Sequence, residues 1–516
     1  MDNHDRYLHG RVDPGVDSNI SLVEQVERPE RPRNQFLSPP RGENSGSNDH
    51  PAPVPTHPYK SPFFSLPSEL VHQILSYLGP IDLASASSSC RLLDGLAKSD
   101  LCWQKHVQET VPGVELTSPH PFQSYRDLYI AHDPHWFLAK YKIWFCDYFL
   151  TGKIIICRFD PRRGCIEGYR LVAERPPPTF DPWEADDEVL IHSFAPTCRM
   201  HLDQPVVHLD AMSRESRMNA TRPGPPSTAR RFTAERPMCI PDHTRNGVFS
   251  NFLLARPVEA QPNMSVWPPE TIPARSRVRN ASQEASVGAR HQPEKRSQAS
   301  EQHFRIRRWM EMTNGPNVPG VHLGEEVHTY ATLDPVLYTP TEDKPYRGIW
   351  VGDYSGHGCE FLLMNQPDDE VPFDESSVIQ REDESPEEWQ ARKKEERVYR
   401  GKLEAIKLTG DPNVPRGEYT FVADDISRRG YVRTATEARF KGARVVRSRG
   451  HIAARMFRHD KYIESQLIMI SHNRMAQYWV GFGHISFYER VDIEQFLSPM
   501  NDPPPKPVKV GDSAHL

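Results

Sequence analysis

The sequence predicts an α+β fold, in which a small N-terminal module of three helices precedes a mainly antiparallel, β-barrel-like domain with long disordered insertions. Apolar residues between positions 66 and 103 recur at the spacing of amphipathic helices. Later segments contain runs of β-branched and aromatic residues separated by glycine and turn dipeptides, which is the pattern of strands. Proline accounts for 49 of 516 residues, about twice the usual share of roughly 5%, and it concentrates between these blocks.

Composition and charge exclude several broad classes of protein. The 63 basic and 69 acidic residues give a net charge of −6, which argues against a generally basic binder of nucleic acid or membrane surfaces. No apolar run follows the polar start of the chain, so no signal peptide is predicted, and no stretch approaches the roughly 18 apolar residues of a membrane span. The eight cysteines form no Cys-x-x-Cys pair. We therefore expect a soluble protein without a cofactor in a reducing compartment, the cytoplasm or the nucleus.

Proline content and charge divide the chain into segments that can bury a core and segments that cannot. Polar, proline-rich stretches have too little apolar surface to offset chain entropy. The insertion at 212–302 is proline-rich and basic, and the insertion at 367–395 is acidic and leads into a polar helix around Trp389 to Arg400. The predicted segments are a disordered tail at 1–61, the helical module at 62–110, the first part of the β domain at 111–211, the insertion at 212–302, the β-barrel-like domain at 303–366 and 396–500, the acidic insertion at 367–395, and a tail at 501–516.

The clearest strand pair lies in the first β segment. Lys153 to Phe159 is a continuous apolar run typical of a buried strand, Asp160 to Gly164 is a turn, and Cys165 to Ala173 is the partner strand. Further strands are predicted at 189–194, 205–210, 348–353, 359–364, 402–409, 418–424, 443–447 and 478–488.

The first helix of the N-terminal module has clear start and stop signals. Pro67 suits the first helical turn, and Glu69 complements the positive end of the helix dipole. Gly79-Pro80 ends the helix. Its apolar stripe consists of Leu70, Val71, Ile74, Leu75 and Leu78.

Two further helices are predicted after this one. Asp82 can cap the second helix, and Ser99 or Asp100 can cap a third helix that carries Leu101 and Trp103. Three helices within about 45 residues cannot bury all of this apolar surface by themselves, and modules this small usually need a partner. The module is therefore predicted to dock onto an apolar surface.

The order of residues in this module resembles an F-box. The resemblance rests on Leu66-Pro67-x-Glu69-Leu70-x-x-x-Ile74-Leu75-x-x-Leu78, then Asp82-Leu83, Cys90-Arg91 and Trp103. It implies docking to the Skp-type adaptor of a cullin-RING ubiquitin ligase, with Leu83 and Trp103 partly structural. The alternative is a helical hairpin that packs only on its own chain. The implied adaptor-binding residues are Leu66, Pro67, Leu70, Ile74, Leu75, Leu78, Leu83 and Trp103.

The C-terminal half carries a second resemblance. Tyr346 to Leu363 has the pattern of a strand, a glycine-rich turn and a strand, and its Gly-x-Trp and Gly-x-Tyr resemble the opening strand of lipocalin-type barrels, where the Trp seals one end. More closely, it resembles the substrate domain of the family of F-box only protein 31 and its fungal relatives. The later stretches Leu408 to Gly417, Gly450 to Ala453 and Gly481 to Phe487 fit the same pattern. The resemblance implies a β-barrel-like pocket that captures a degradation signal, often a chain terminus.

Five side chains are candidates for the wall or rim of this pocket. Aromatic rings can hold a peptide side chain, and a histidine or glutamate can bind its polar groups. The alternative is a structural role, with the tryptophans in the barrel core and the histidine bonded in a turn. The candidates are Trp350, Tyr354, His357, Glu360 and Trp479.

An enzymatic reading receives little support from the motifs. Asp353, His357 and Glu360 share one glycine-rich turn, but strand alternation directs them to different faces, and no metalloprotease helix, nucleophile elbow or phosphate-binding loop is present. The predicted function is a non-catalytic substrate-recognition subunit of a Skp–cullin–F-box ubiquitin ligase, which holds a target protein for ubiquitination and proteasomal degradation. A lipocalin-like small-molecule receptor and a β-barrel hydrolase or metal site are the alternatives.

Overall fold

A computed structural model of the chain describes residues 62–211, 232–238, 240, 247–257, 292–312, 321–369 and 371–502. The predicted tail at 1–61, most of the predicted insertion at 212–302 and residues 503–516 of the predicted C-terminal tail lie outside the described residues. Among the helices of the described ranges, none is both long and apolar enough to cross a membrane.

The N-terminal helical module is confirmed, although residues 62–110 contain four α-helices where three are predicted. Gly79 is the N-cap of the second helix and Pro80 is its first residue, so the predicted cap Asp82 lies inside the first turn. Ser99 caps the fourth helix as predicted, because its Oγ accepts a hydrogen bond from the Leu101 amide at 3.3 Å. The α-helices are α1 (Ser68–Leu75), α2 (Pro80–Ser87), α3 (Arg91–Ala97), α4 (Asp100–Thr110), α5 (Tyr125–His132), α6 (Phe137–Tyr141), α7 (Pro335–Tyr338) and α8 (Pro386–Val398).

The described residues also form nineteen strands, which are β1 (Ile143–Cys146), β2 (Lys153–Asp160), β3 (Cys165–Glu174), β4 (Phe180–Trp183), β5 (Asp186–His192), β6 (Thr197–Asp210), β7 (Glu235–Pro237), β8 (Val248–Leu254), β9 (His303–Met312), β10 (Val321–Thr332), β11 (Gly348–Asp353), β12 (Cys359–Asn365), β13 (Leu403–Lys407), β14 (Tyr419–Ala423), β15 (Tyr431–Thr434), β16 (Arg444–Ala454), β17 (Arg458–Ser471), β18 (Arg474–Trp479) and β19 (His484–Arg490). The predicted single strand at 478–488 is wrong, because a turn at 480–483 separates β18 from β19. The other predicted strands are present, although 205–210 is only the second part of β6 and 443–447 only the first part of β16.

One sheet contains eight strands in the order β6-β3-β2-β1-β10-β9-β8-β7, and all of its pairings are antiparallel. Strands β7 and β8 lie within the range 212–302, so the prediction that this whole range is disordered is wrong. The physical reason is the apolar character of β8, where Phe252, Leu253 and Leu254 are buried. Strand β8 was not predicted because the residues around it are rich in proline and charge.

The second sheet has eleven strands and contains a closed barrel. Its order is β11-β12-β13-β14-β16-β17-β18-β19-β5-β4, with β15 beside β16. An additional antiparallel pairing of β11 with β19, in which Trp350 faces Arg490 and Gly352 faces Tyr488, closes eight of these strands into a ring. The predicted fold class, with a mainly antiparallel β-barrel, is thereby confirmed, although β9 and β10, which lie in the segment predicted to form the barrel, belong to the first sheet. Strand β5 alone among the described strands runs parallel to its neighbour, β19.

Two apolar clusters follow from the alternation of side chains along the barrel strands. One face of the strands supplies the interior, which is filled by large side chains such as Trp350, Phe421 and Tyr488. The opposite face packs against the first sheet, where Phe145 and Ile156 meet barrel residues including Val351 in a single core. The first sheet therefore supports one side of the barrel.

The acidic segment after β12 is anchored to the barrel by basic side chains. Lys344 and Arg347, both almost fully buried, contact the carboxylates of Asp369 at 3.0 Å and Asp368 at 2.7 Å. The predicted polar helix is α8, which begins with a capping box at Ser385. The acidic insertion is thus held in place while much of its surface remains exposed.

Candidate functional site

Helix α1 presents an apolar face to solvent. Leu70 and Ile74 are 45% and 43% exposed, and Leu66 just before the helix is 37% exposed. The first two lie one helical turn apart on the same side, whereas Val71 and Leu75 face the interior of the module. Because these exposed side chains form a contiguous strip with Pro67, the strip is suited to docking onto an apolar partner.

Three of the predicted adaptor-binding residues lie elsewhere in the module. Leu75, Leu83 and Trp103 are 2%, 0% and 3% exposed, and the Trp103 indole donates a hydrogen bond to the Ala97 carbonyl at 2.7 Å. We call the exposed strip of Leu66, Pro67, Leu70 and Ile74 the docking strip. Leu75, Leu83 and Trp103 pack in the interior of the module and have almost no surface left for direct contact with a partner. The predicted adaptor contact of Leu75 is therefore replaced by a packing role. Leu78 is half-buried at the end of the strip.

A row of aromatic rings connects the helical module to the first sheet. Trp103 of α4 packs against Tyr129 of α5 with ring centroids 5.4 Å apart. Tyr129 stacks on Trp136 at 6.3 Å, and Trp136 in turn contacts Phe159 of β2 at 5.4 Å. The docking strip is therefore attached to the β domain through packed side chains as well as through the chain itself.

One end of the barrel is sealed by Trp350. Its indole donates to the Tyr346 carbonyl at 3.1 Å, and the Arg490 guanidinium lies over its ring at 5.3 Å. Arg490 also donates to the Arg347 carbonyl at 2.9 Å. Trp350 is fully buried at this end, and the end of the barrel that carries Tyr354 and Trp479 lies opposite.

The opposite end, which we call the barrel mouth, brings together three of the candidate side chains: Tyr354, Glu360 and Trp479. Strand β11 runs from Trp350 toward Tyr354, and the pairing of β19 with β11 and β18 places Trp479 at that same end. His357 lies on the exposed turn between β11 and β12, where its amide donates to the Tyr354 carbonyl at 3.0 Å. The mouth therefore combines aromatic surface with a buried carboxyl group.

Glu360 belongs to a buried cluster of charged side chains whose other members, Lys407 and Asp411, were not predicted as site residues. Lys407 is 1% exposed, and its ammonium lies 2.7 Å from a Glu360 carboxyl oxygen and 2.6 Å from an Asp411 carboxyl oxygen. The same ammonium lies over the Tyr354 ring at 4.2 Å, and the Tyr354 hydroxyl donates to Thr420 at 2.6 Å. The buried Lys407 ammonium thus contacts Glu360, Asp411 and the Tyr354 ring at the mouth.

The two carboxyl groups of this cluster differ in pKa. Burial raises the pKa of Glu360 from 4.5 to about 8, although the Lys407 ammonium acts in the opposite direction. Burial also opposes the ionisation of Asp411, but the Lys407 ammonium and hydrogen bonds outweigh it and hold the Asp411 pKa below its ordinary value. Burial therefore favours the protonated form of Glu360, whose carboxyl group hydrogen-bonds to that of Asp411, while Asp411 is held in its ionised form beside Lys407.

This difference predicts a pH dependence of stability. Because the pKa of Glu360 is raised on folding, its contribution to the free energy of unfolding is present below pH 4.5 and is lost as pH rises through about 8. The pKa of Asp411 is lowered on folding, so its contribution to the free energy of unfolding changes only at more acidic pH. We expect the Glu360→Gln variant to lose less stability than the parent between pH 5 and pH 8, measured as urea midpoints. Parallel pH profiles for parent and variant would contradict this.

Gly450 of β16 allows the Trp479 ring to cross the inner face of the mouth. A Cβ atom at position 450 would lie 2.3 Å from Cζ3 of Trp479. The indole is held in this position by a hydrogen bond to the Ser486 hydroxyl at 3.0 Å. Gly450 falls in a stretch that the sequence analysis singled out, and the close approach of the indole is the physical reason for a glycine there.

We expect Gly450→Ala to displace Trp479 and to destabilise the barrel by about 1–3 kcal/mol, the usual cost of overpacking. The measurements are the urea midpoint and the emission maximum of tryptophan fluorescence. Gly356→Ala is the matched control, because a Cβ there would meet no atom within 4 Å. Equal midpoints for the two variants would show that the Gly450–Trp479 packing is not required.

The side chains considered for a metal or acid–base site do not meet. Asp353 is bound by Arg175 at 2.9 Å, His357 is exposed on its turn, and Glu360 points into the barrel. Across the described ranges, no group of three or more His, Cys, Asp and Glu side chains is arranged to hold a metal ion. The arrangement at the mouth is a set of buried, hydrogen-bonded polar groups beside aromatic rings.

Comparison with known proteins divides the chain in the same way as the structure. Residues 63–109 match the family model described as F-box-like, and residues 330–495, which include all eight barrel strands, match the model described as cyclin D1 binding domain. No curated protein is a significant match to the sequence. The helical module is therefore similar to F-box-like domains, which supports an F-box protein, and the barrel is similar to the domain described as cyclin D1 binding.

Proposed function

We propose that this protein is the substrate-recognition subunit of a Skp–cullin–F-box ubiquitin ligase. The observation that carries the proposal is the exposed apolar strip of Leu66, Pro67, Leu70 and Ile74 within the F-box-like match. Such a strip on a small helical module needs an apolar partner, and the Skp-type adaptor is the partner that an F-box binds. The cullin scaffold would then be reached through the adaptor.

The ligand of the barrel mouth is proposed to be a segment of a target protein. The match over 330–495 supports a protein ligand, because the domain is described by its binding of a cyclin. At the mouth, the Trp479 and Tyr354 rings would hold an apolar side chain of the target. The resemblance to F-box only protein 31 and its fungal relatives favours a chain terminus as this segment.

In this function the chain contributes binding and not chemistry. Holding the target next to the ubiquitin-conjugating enzyme raises the effective concentration of target lysines near the reactive thioester. Proteasomal degradation of the target would follow. The seven cysteines within the described ranges are free thiols, which suits a reducing compartment such as the cytoplasm or the nucleus.

Affinity capture followed by mass spectrometry tests this function. The tagged chain is expressed as the parent and as the Leu70→Ala/Ile74→Ala variant, and the captured proteins are compared. We expect the parent to capture the adaptor and the cullin, and the variant to lose both while target proteins accumulate on it. Retention of the adaptor by the variant would refute the docking surface, and no enriched target on the variant would refute the receptor function.

The alternative of a small-molecule receptor or a metal-dependent barrel is tested on the same purified protein. Native mass spectrometry and metal analysis report any bound ligand directly. A metal or small molecule at one equivalent per chain would favour the alternative. A chain mass that equals the sequence mass of 59.2 kDa supports the protein-receptor function.

A further inference from the structure

Beyond the barrel mouth, strands β16 and β17 continue as a hairpin of residues 452–461, which we call the arm. Gly450 pairs with Ile463 at the rim, and the ladder continues through Ile452–Lys461 to Ala454–Arg458. Because side chains alternate along a strand, Ile452 and Lys461 extend the face that Gly450 and Ile463 turn toward the barrel interior. The arm therefore stands at the edge of the mouth, with Lys461 on its mouth side.

The arm is held rigidly by contacts at its tip and its base. At the tip, the Met456 amide donates to the Pro412 carbonyl at 2.7 Å. Phe457 is 6% exposed, and its ring lies 5.8 Å from the ring of His451. His451 in turn stacks on Tyr462 with centroids 4.5 Å apart. These contacts give the arm one orientation relative to the mouth.

The tip of the arm has an unusual backbone. Met456, Phe457 and His459 have φ angles of 63°, 54° and 52°, in the left-handed region that favours glycine. Such conformations persist only where the surroundings enforce them, and they concentrate at binding sites. Met456 is held by the loop of residues 408–417, whose Asp411 belongs to the charge cluster of the mouth. The strained tip is thus attached to the candidate site itself.

The arm is also a patch of exposed positive charge. Arg455, Arg458 and Lys461 are exposed, and none of them forms an ion pair with a carboxylate of the described residues. At the base of the arm, by contrast, Arg449 is paired with an acidic side chain, because it donates to both carboxylate oxygens of Asp424. The one carboxylate of the arm, Asp460, contacts His451 at 3.2 Å. In a chain whose net charge is −6, the three exposed cations therefore exceed the acidic charge of the arm and produce a local positive potential.

We propose that the arm binds an acidic stretch of the target protein, next to the segment held at the barrel mouth. This inference rests on the proposed function and extends it to the chemical class of the ligand. Aspartate and glutamate side chains of the target would pair with Arg455, Arg458 and Lys461. Exposed ion pairs are weak and screened by salt, so the arm would act mainly on association rate and on the choice of target.

A peptide selection tests the arm. A library of random displayed peptides is selected on the full chain in complex with its adaptor, for the parent and for two charge-reversal variants. The arm variant is Arg455→Glu/Arg458→Glu/Lys461→Glu. The control variant is Lys402→Glu/Arg429→Glu/Lys441→Glu, which makes the same change in net charge at exposed positions outside the arm and the mouth.

We expect aspartate and glutamate to be enriched among peptides selected by the parent and the control, and to lose this enrichment on the arm variant. For one acidic peptide from the parent selection, we expect affinity at low salt to fall about tenfold on the arm variant and the salt dependence to disappear. An equal acidic bias on all three proteins, or no acidic bias on the parent, would overturn the inference.

A fourth protein separates this inference from the proposed function. Trp479→Leu alters the mouth and leaves the arm residues unchanged, and its unfolding transition is measured to show that it folds. Peptides that bind the parent but not this variant support the mouth as the site. If they still bind Trp479→Leu, the proposed site at the mouth is refuted. If they are lost on Trp479→Leu but bind the arm variant as they bind the parent, only the arm is refuted.

Discussion

Replacing Leu70 and Ile74 together with alanine is expected to weaken capture of the Skp-type adaptor strongly. The two side chains are 45% and 43% exposed, so nearly half of each is free to be buried in a complex. Fully burying an exposed leucine or isoleucine side chain is worth about 1.5–3 kcal/mol. Because each has only about half of its surface left to bury, truncating both should weaken the complex by about 1.5–2.5 kcal/mol, which is roughly ten- to seventyfold in affinity. Titration of the labelled adaptor with the purified chain measures this loss.

The matched control removes exposed apolar surface elsewhere. Val371 and Ile379, which are 69% and 78% exposed, lie outside the F-box-like domain. The Val371→Ala/Ile379→Ala variant should bind the adaptor as the parent does, and both variants should unfold at the parent's urea concentration. If the affinity of the Leu70→Ala/Ile74→Ala variant for the adaptor stays within about threefold of the parent's, the docking strip is wrongly assigned.

The largest loss of stability is expected from Lys407→Met. Removing this ammonium leaves Asp411 and Glu360 in the barrel without their cation, and breaking a buried ion pair from one side costs about 3–5 kcal/mol. A change of this size exceeds what a typical surface substitution causes. Urea unfolding followed by tryptophan fluorescence measures it, and the adaptor-binding strip should be unaffected because it lies in the helical module.

Two further variants show whether the loss comes from uncompensated charge. Adding Glu360→Gln and Asp411→Asn to Lys407→Met removes the Asp411 carboxylate and the Glu360 carboxyl group as well, and it should recover much of the lost stability. Lys402→Met, which replaces a lysine that is 55% exposed just before the same strand, should change stability by less than about 0.5 kcal/mol. Similar effects of Lys402→Met and Lys407→Met would contradict the role of the buried cluster.

The helical module was largely predictable from sequence because its signals are local. The Leu-Pro start, the Gly79-Pro80 break and the Ser99 cap each act within one or two turns of the chain. The extra helix boundary between α2 and α3 was missed because the sequence there has no proline or glycine to mark it. The fold class followed from the same kind of local pattern in the strands.

Non-local pairing explains what the sequence did not reveal. Barrel closure depends on β11 meeting β19, and no local pattern records which distant strands will pair. Strand β9 is rich in arginine, and β8 lies in a range dominated by proline and charge, so neither stands out from its composition. These strands are stabilised by the neighbours that they meet only in the folded sheet.

The candidate site was also predictable only where local sequence patterns carry the information. Tyr354, Glu360 and Trp479 meet at the mouth, while Trp350 lies at the sealed end, because the direction of each strand decides which end a residue reaches. Lys407 was missed because a lysine at the end of a strand is usually exposed. The one local signal was Asp411, within the stretch from Leu408 to Gly417 that the sequence analysis had already singled out.

If one chain joins the adaptor to a target protein, the half-life of that target depends on both binding surfaces. The protein that accumulates on the Leu70→Ala/Ile74→Ala variant is followed after translation is blocked, in cells that carry the parent, that variant or Trp479→Leu. We expect rapid loss of the target with the parent and a several-fold longer half-life with either variant. An unchanged half-life with the Leu70→Ala/Ile74→Ala variant would show that the chain does not join an adaptor to a target.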